Sequence, residues 1–322
     1  MVTEQSRDKE ELAGEDGESR GFYDLKNRLN DLTGKEWIFS TKSVIPKSYP
    51  PSFQHQLRNS HGGQKPPELC AEIIKAFTKR NDVVLDPFAG VGGSLLGCTI
   101  CRRIGIGIEI NKDWIDIYKQ VCELEHVHVQ AMIQGDSRVM VPSLRGPVDF
   151  VLTDIPYWTM DKVEKSKGTF KRTNEAPKGV FSEKSKLSKF DEFAPASKDD
   201  WLAILDSVFK SCFAILKNKG YVAVFVGNMY NKGELHFLTA DVATLLKAIG
   251  FILKGEIIWY DVAKKLHLYG INYEWIPSMV HQSVLVFMKP GENIRNGDAS
   301  SIKESNQARI NAFCKKREPE RQ

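Results

Sequence analysis

The chain has 322 residues, of which 42% are apolar and 27% charged, and its formal net charge is +4. That composition is ordinary for a globular protein and suits one large α/β domain with appendages, or two small domains. No apolar run reaches the roughly eighteen residues of a membrane helix, and the polar start lacks the pattern of a secretory signal, which predicts a soluble, cytoplasmic chain.

Residues 1–20 hold seven acidic side chains against Arg7, Lys9 and Arg20, and read as a disordered acidic tail. Setting aside that tail, which carries −4, leaves +8 on the remainder, a charge compatible with a polyanionic partner. From residue 21 to 289 one α/β alternation follows. Val83–Phe88 is a short apolar strand that stops at a glycine-rich turn, Gly90 to Gly93. A helix runs through Leu95, Leu96 and Ile100, then a strand over Gly105–Ile110. Trp114, Ile117, Tyr118, Val121 and Cys122 fall at helical spacing. Val148–Thr153 is a buried strand; a helix from Trp201 to about Leu216, a strand Tyr221–Val226 and a helix Leu235–Ile249 come next. Two strands, Phe251–Trp259 and Ser283–Met288, close the body with no helix pattern between them, so they are expected to pair antiparallel at one edge. The alternation predicts a mostly parallel, seven-stranded sheet covered on both faces. Residues 290–322 read as a polar C-terminal tail.

Six cysteines are scattered along the chain. Cys98 and Cys101 form a C-x-x-C, but no second pair or histidine cluster completes a zinc set and both lie in an apolar helical run. They read as small core residues, and no metal is expected.

The first candidate site is Asp86-Pro87-Phe88-Ala89-Gly90-Val91-Gly92-Gly93-Ser94. Glycines after a first strand let backbone pass close to a ligand, and the following helix offers free N–H groups. Glu109 stands 23 residues after Asp86, where a carboxylate grips a ribose diol, and Asp136 follows the third strand, where it can accept from an adenine amino group. An acid at the start of the turn would repel a pyrophosphate and suits the cationic amino-acid end of S-adenosylmethionine. Helix capping by Asp86 accounts for the same acid.

The second site is Thr153-Asp154-Ile155-Pro156-Tyr157-Trp158. An exocyclic amine on a base is a poor nucleophile because its lone pair is delocalised into the ring. A carboxylate and a backbone carbonyl that accept its N–H bonds would localise that pair. Pro156 restricts Ile155, which fixes the direction of its carbonyl, and Tyr157 offers a face for a base. A tight turn with Asp154 bonded to its own backbone, and the two rings in the core, accounts for the segment equally well.

With His61-Gly-Gly-Gln64-Lys65-Pro66 ahead of both, the three segments resemble the amino-methyltransferases of DNA, the N6-adenine and N4-cytosine family, over roughly residues 30–289. That family shows an H-x-x-Q-K-P segment, a DPF-x-G-x-G cofactor turn and a (D/N/S)-P-P-(Y/F/W) catalytic turn. The resemblance implies a Rossmann-like methyltransferase fold, S-adenosylmethionine as cofactor and double-stranded DNA as partner, with the target base flipped out. It implies direct methyl transfer to the base nitrogen. Asp154, Ile155, Pro156 and Tyr157 would form the catalytic turn, with Asp154 on the amino group and Tyr157 stacked on the base. Phe88, Gly90 and Gly92 would border the cofactor beside Asp86, with Glu109 on its ribose, Asp136 on its adenine, and Lys65 and Pro66 beside its methionine end. Ile155 departs from the family's first proline.

Nine basic residues between Lys162 and Lys189 (a loop over 162–198) read as a mobile segment that closes on phosphates. Residues 261–282, with Tyr269, Asn272, Tyr273 and Trp275, are a candidate target-recognition loop. The competing readings are an RNA guanine-N2 methyltransferase and a catalytically inactive DNA-binding relative, the latter favoured only by Ile155. By the resemblance, Asp154 at the first turn position leans towards adenine and the Tyr157-Trp158 ending towards cytosine, with adenine slightly preferred; a monomer or dimer, with room for a cognate restriction nuclease as partner, completes the expectation.

Overall fold

The computed structural model describes residues 8–14, 16–156, 195, 197–231, 234–264, 275 and 278–291. Tyr157, Trp158, the basic stretch 162–189, most of 261–282 and the tail from 292 lie outside the described residues.

The chain opens with a hairpin, β1 (Lys9–Ala13) and β2 (Ser19–Asp24). Next come α1 (Gly34–Ser40), the short strand β3 (Val44–Pro46), one helical turn α2 (His55–Arg58) and α3 (Pro67–Phe77). Strand and helix then alternate through β4 (Val83–Asp86), α4 (Gly93–Cys101), β5 (Ile104–Glu109), α5 (Lys112–Leu124), β6 (Ala131–Gln134), α6 (Ser137–Ser143) and β7 (Val148–Asp154). The body ends with α7 (Lys198–Ile215), β8 (Leu216–Val226), a two-stranded ribbon of β9 (Met229–Asn231) and β10 (Glu234–His236), α8 (Leu238–Ile249), β11 (Ile252–Tyr260) and β12 (His281–Met288).

The central sheet has eight strands in the order β3-β11-β12-β8-β7-β4-β5-β6. Every pairing is parallel except those of β12, which runs antiparallel to both β8 and β11. The fold is thus a mostly parallel, Rossmann-like α/β sheet, with two corrections to the expectation. It has eight strands rather than seven, and the β11–β12 pair is not at the edge, because β3 lies outside β11 with Ile45 opposite Trp259. Three residues ending in proline give no readable period. Pro46 is tolerated because an edge strand needs no donor on its free side.

A second difference concerns the start of the chain. Residues 9–13 and 19–20, read from their acids as part of a disordered tail over 1–20, belong to the β1–β2 hairpin, whose second strand runs on to Asp24. Arg20 anchors it: its guanidinium makes two hydrogen bonds to Glu36, at 2.9 and 3.0 Å, and Thr33 Oγ1 donates to the Arg20 carbonyl at 3.0 Å. Thr33 and Glu36 also form a capping box on α1, so one carboxylate serves both helix and hairpin.

The period-two alternation of β7 divides the core. Val151 packs with Leu205, Phe209 and Leu246 of α7 and α8 on one face. Phe150 and Leu152 pack with Leu69, Ile73 and Ile74 of α3 on the other. Cys98 and Cys101 are buried on this second face, as small core residues. From β4 the chain winds outward to β5 and β6, then returns to β7 on the other side of β4. The carboxyl ends of β4 and β7 therefore flank a topological switch point, where open α/β sheets bind ligands.

Candidate active site

Asp86 ends β4 and is only 4% exposed. One carboxylate oxygen accepts from the Phe88 amide at 3.0 Å and from Thr153 Oγ1 at 2.7 Å, a bond that spans the switch point to β7. The other accepts from Ser94 Oγ. Asp86 thus ties the glycine-rich turn together rather than capping α4. Burial pushes its pKa up to about 6 despite those three donors. The turn continues through Gly90 (φ +52°) and Gly92 (φ +75°), both left-handed. A Cβ on Gly90 would come within 2.8 Å of His61 Nε2, and one on Gly92 would strike the Tyr118 ring.

Glu109 ends β5 and binds backbone with both oxygens, accepting from the Gly90 amide at 2.8 Å and the Asn111 amide at 2.8 Å. Asp136 is the N-cap of α6, accepts from the Arg138 amide at 2.8 Å, and is gripped by the Arg138 guanidinium at 2.5 to 3.1 Å. The hydrogen bonds from Arg138 hold the Asp136 carboxyl below its ordinary range.

Asp154 ends β7 and faces the H-x-x-Q-K-P segment. Lys65 Nζ donates to its Oδ2 at 2.6 Å, with the lysine side chain 8% exposed and the aspartate 20%. The ammonium also stands 5.4 Å from the Phe225 ring centre. Lys65 is held from behind by Arg58, which is 1% exposed and donates to the Lys65 carbonyl at 2.7 Å. Asp154 Oδ1 is buried and has no hydrogen-bond partner among the described residues. A carboxylate with one oxygen ion-paired and the other unsatisfied is a directed acceptor, because an unmet buried acceptor is costly until a ligand donor meets it.

Lys65, Asp86, Phe88, Gly90, Glu109, Asp136, Asp154 and Pro156 all line one cleft. Gly92, Pro66 and Ile155 do not: Gly92 packs on Tyr118, Pro66 precedes α3, and Ile155 is 1% exposed within the α7–α8 core. Tyr157 lies outside the described residues. The cleft also brings in side chains beyond the predicted site residues. His61 meets Trp114 edge-on at 5.1 Å, Arg138 covers Asp136, and Trp201 of α7 donates its indole N–H to the Pro156 carbonyl at 2.6 Å. His61 stood in a quoted motif; for the other three, a buried or polar handle on an otherwise ordinary helix residue was the only available signal.

The donor set fits S-adenosylmethionine, whose sulfonium and α-ammonium are cationic. Four carboxylates, Asp86, Glu109, Asp136 and Asp154, face the cleft against Lys65 and Arg138. Two more lining residues carry buried polar atoms without a partner among the described residues, Gln64 Oε1 as an acceptor and Trp114 Nε1 as a donor. No group of three or more metal-ligating side chains occurs among the described residues.

A family model described as DNA methylase, of the N6/N4 type, matches residues 4–120 and 148–321. The type II methyltransferase M.HpaI of Haemophilus parainfluenzae is 41% identical over 68 residues, which are 21% of this chain and 22% of that protein. M2.DpnII of Streptococcus pneumoniae is 33% identical over 111 residues (32% and 36%), and M2.LlaDCHI of Lactococcus lactis subsp. cremoris 34% identical over 110 (33% and 37%). The matches thus span well under half the length of these relatives. The family model, by contrast, extends over most of the sequence and takes in every element of the cleft except Asp136 and its neighbours on α6. The chain therefore belongs to the N6/N4 DNA methylase family.

Proposed function

We propose that the chain transfers a methyl group from S-adenosylmethionine to an exocyclic amino group of a base in double-stranded DNA, N6 of adenine in preference to N4 of cytosine. The observation that carries this reading is the Asp154 carboxylate, paired to Lys65 through one oxygen and offering the other, buried and unpartnered, into the cleft of the glycine-rich turn. When bound, the cofactor supplies an electrophilic methyl group on a sulfonium. Asp86, Glu109 and Asp136 would hold its cationic end, ribose and adenine, and Gln64 and Trp114 would meet its remaining polar atoms.

On the other side, Asp154 Oδ1 accepts one N–H of the target amine, and the family resemblance gives the second to the main-chain carbonyl of Ile155, whose side chain is turned into the core. Both bonds draw the nitrogen lone pair out of the ring and aim it for in-line attack. Transfer would break the S–CH3 bond, leaving the cofactor a neutral thioether, and would make the nitrogen cationic; Asp154 Oδ1 is the adjacent acceptor for the proton that nitrogen sheds. Lys65 holds the carboxylate in one rotamer throughout. A base inside the duplex could not reach a cleft at the switch point, so it would be turned out of the stack, with Tyr157 as the stacking face. The basic stretch 162–189 would supply phosphate contacts, and residues 261–282 the reading of base edges. A cytoplasmic setting and a cognate restriction nuclease belong to the same proposal; no described helix is long and apolar enough to cross a membrane.

The test is to incubate the protein with methyl-labelled cofactor and equal amounts of duplex DNA and structured RNA, then identify the labelled nucleoside. N6-methyl-2′-deoxyadenosine in the DNA fraction is expected. N4-methylcytosine there would overturn the adenine preference, label in RNA alone would overturn the DNA reading, and cofactor binding with no transfer would mark an inactive relative.

A further inference from the structure

We infer that Arg58 is a positioning residue for the Lys65–Asp154 pair, holding the Lys65 main chain against the glycine-rich turn so that its ammonium meets Asp154. The inference rests on the proposed function for its catalytic consequence, and on geometry alone for its structural one. Arg58 is 1% exposed, yet it does not line the cleft. A buried guanidinium normally takes a carboxylate partner, because desolvating a charge is costly. Among the described residues Arg58 has none. It donates to the Lys65 carbonyl at 2.7 Å and, more distantly, to the Ser52 carbonyl at 3.5 Å, and its Nε is unmet. Burial pushes its pKa down to about 10, which leaves it a cation at neutral pH. The shortest hydrogen bond of this buried charge thus goes to one main-chain carbonyl, that of Lys65.

That carbonyl lies at a junction. The hydrogen bonds of α3 begin one residue later, where the Pro66 carbonyl accepts from the Cys70 amide at 3.1 Å, so the Lys65 carbonyl stands outside the helical ladder. Its oxygen would be 2.8 Å from a Cβ on Gly93, the first residue of α4. The Lys65 peptide is therefore wedged between the guanidinium and the helix that opens at the glycine-rich turn. The ψ of Lys65 is confined by the proline that follows. With the carbonyl direction also fixed, only side-chain torsions remain between the Lys65 backbone and its ammonium. These end on Asp154 Oδ2, at 2.6 Å, and beside the Phe225 ring. Without Arg58 the Lys65 peptide would tip towards another donor, and the ammonium would move with it. Asp154 would then lose the partner that sets its rotamer, while Asp86, Glu109 and Asp136 would keep their own donors. Arg58 acts on the amine side of the cleft through Lys65, without touching cofactor or base.

The test is a double-mutant cycle in the full-length protein, combining Arg58→Met with Lys65→Met. Arg58→Met alone should lower kcat for methyl transfer to DNA about tenfold, with cofactor affinity and KM for DNA within about twofold of wild type. In the Lys65→Met background the same change should lower kcat by less than about twofold, because the residue it positions is gone. An unchanged kcat would overturn the inference, as would equal losses in both backgrounds, which a general structural role produces. Labelling of lysines by acetic anhydride, read by mass spectrometry, gives a second measure. Arg58→Met should speed labelling of Lys65 and leave unchanged that of Lys79, which is held by Tyr23 and Asn27. Equal rises at both lysines would mean general loosening and would overturn the inference. If Arg58→Met does not fold, Arg58→Lys decides, since it keeps the charge but not the planar fork. A fall in kcat of about threefold with faster Lys65 labelling sustains the inference, and wild-type values for both overturn it. If the wild-type protein itself transfers no methyl group to DNA, the proposed function has failed, and labelling alone decides the role of Arg58: a faster rate at Lys65 only sustains it, an equal rate overturns it.

Discussion

The two halves of the cleft treat their carboxylates in opposite ways. On the β4–β6 side, the acids are spoken for: Asp86 by Phe88, Thr153 and Ser94, Glu109 by two backbone amides, Asp136 by Arg138. On the β7 side, Asp154 has a single partner among the described residues, Lys65, and keeps a buried oxygen unmet by them. The first half is built to hold a shape, and binding there adds to a structure already closed on itself. The second half stores unsatisfied valence, and that is where chemistry on an amine would be done.

Substitutions can break or sharpen this contrast. The largest effect is expected from Gly92→Ala, which puts a Cβ into the Tyr118 ring at a left-handed φ of +75°. Overpacking and αL strain together should cost about 3–5 kcal/mol, seen as a large drop in denaturant midpoint or failure to fold; near-native stability would show that the cofactor half is looser than described.

Asp86→Asn tests whether a shape-holding acid is kept at a cost. Its folded-state pKa is raised to about 6 from the ordinary aspartate value of 3.8, so folding pays nothing below the lower value, loses stability as pH rises between the two, and carries the full penalty above the higher. Asparagine can keep all three hydrogen bonds, with its amide donating to Ser94 Oγ. The variant should therefore be more stable than wild type by roughly 3 kcal/mol at pH 7 and no different below pH 3.8, while binding the cationic cofactor less well. Calorimetry across pH checks it, and equal melting temperatures at pH 7 would refute the burial penalty.

Lys65→Met separates the halves. The Lys65 ammonium is bonded to Asp154, so methyl transfer should fall about 10- to 100-fold with cofactor affinity within threefold. An equal loss in cofactor affinity would return Lys65 to the cofactor half. The smallest effect is expected from Arg138→Gln. Its pair with Asp136 is partly exposed and should be worth about 0–1 kcal/mol. Freeing Asp136 should tighten cofactor binding by no more than about threefold, measured by calorimetric titration. Weaker binding would make Arg138 a ligand.

Much of this was legible in the sequence because it is local. The glycine-rich turn and the 3.6- and 2-residue periods are patterns within about ten residues, Glu109 follows Asp86 at a readable spacing of 23, and the order of three short motifs carried the family. What escaped is long-range. The Lys65–Asp154 pair joins residues 89 apart and the Trp201–Pro156 bond residues 45 apart, and no spacing rule announces either. Trp201 reads as a core residue, which it is; its N–H bond to the Pro156 carbonyl shows only in the fold. The strand β3 was too short to show a period, and composition hid the hairpin because acids that looked solvated flank an arginine pinned to Glu36.

The most direct test is single-turnover methyl transfer to DNA by wild type and Asp154→Ala at saturating cofactor. Removing the cleft carboxylate whose second oxygen is unmet among the described residues should slow transfer by about a thousandfold or more while cofactor affinity stays within a few-fold. Transfer at an undiminished rate would contradict the assignment of chemistry to the β7 side of the cleft.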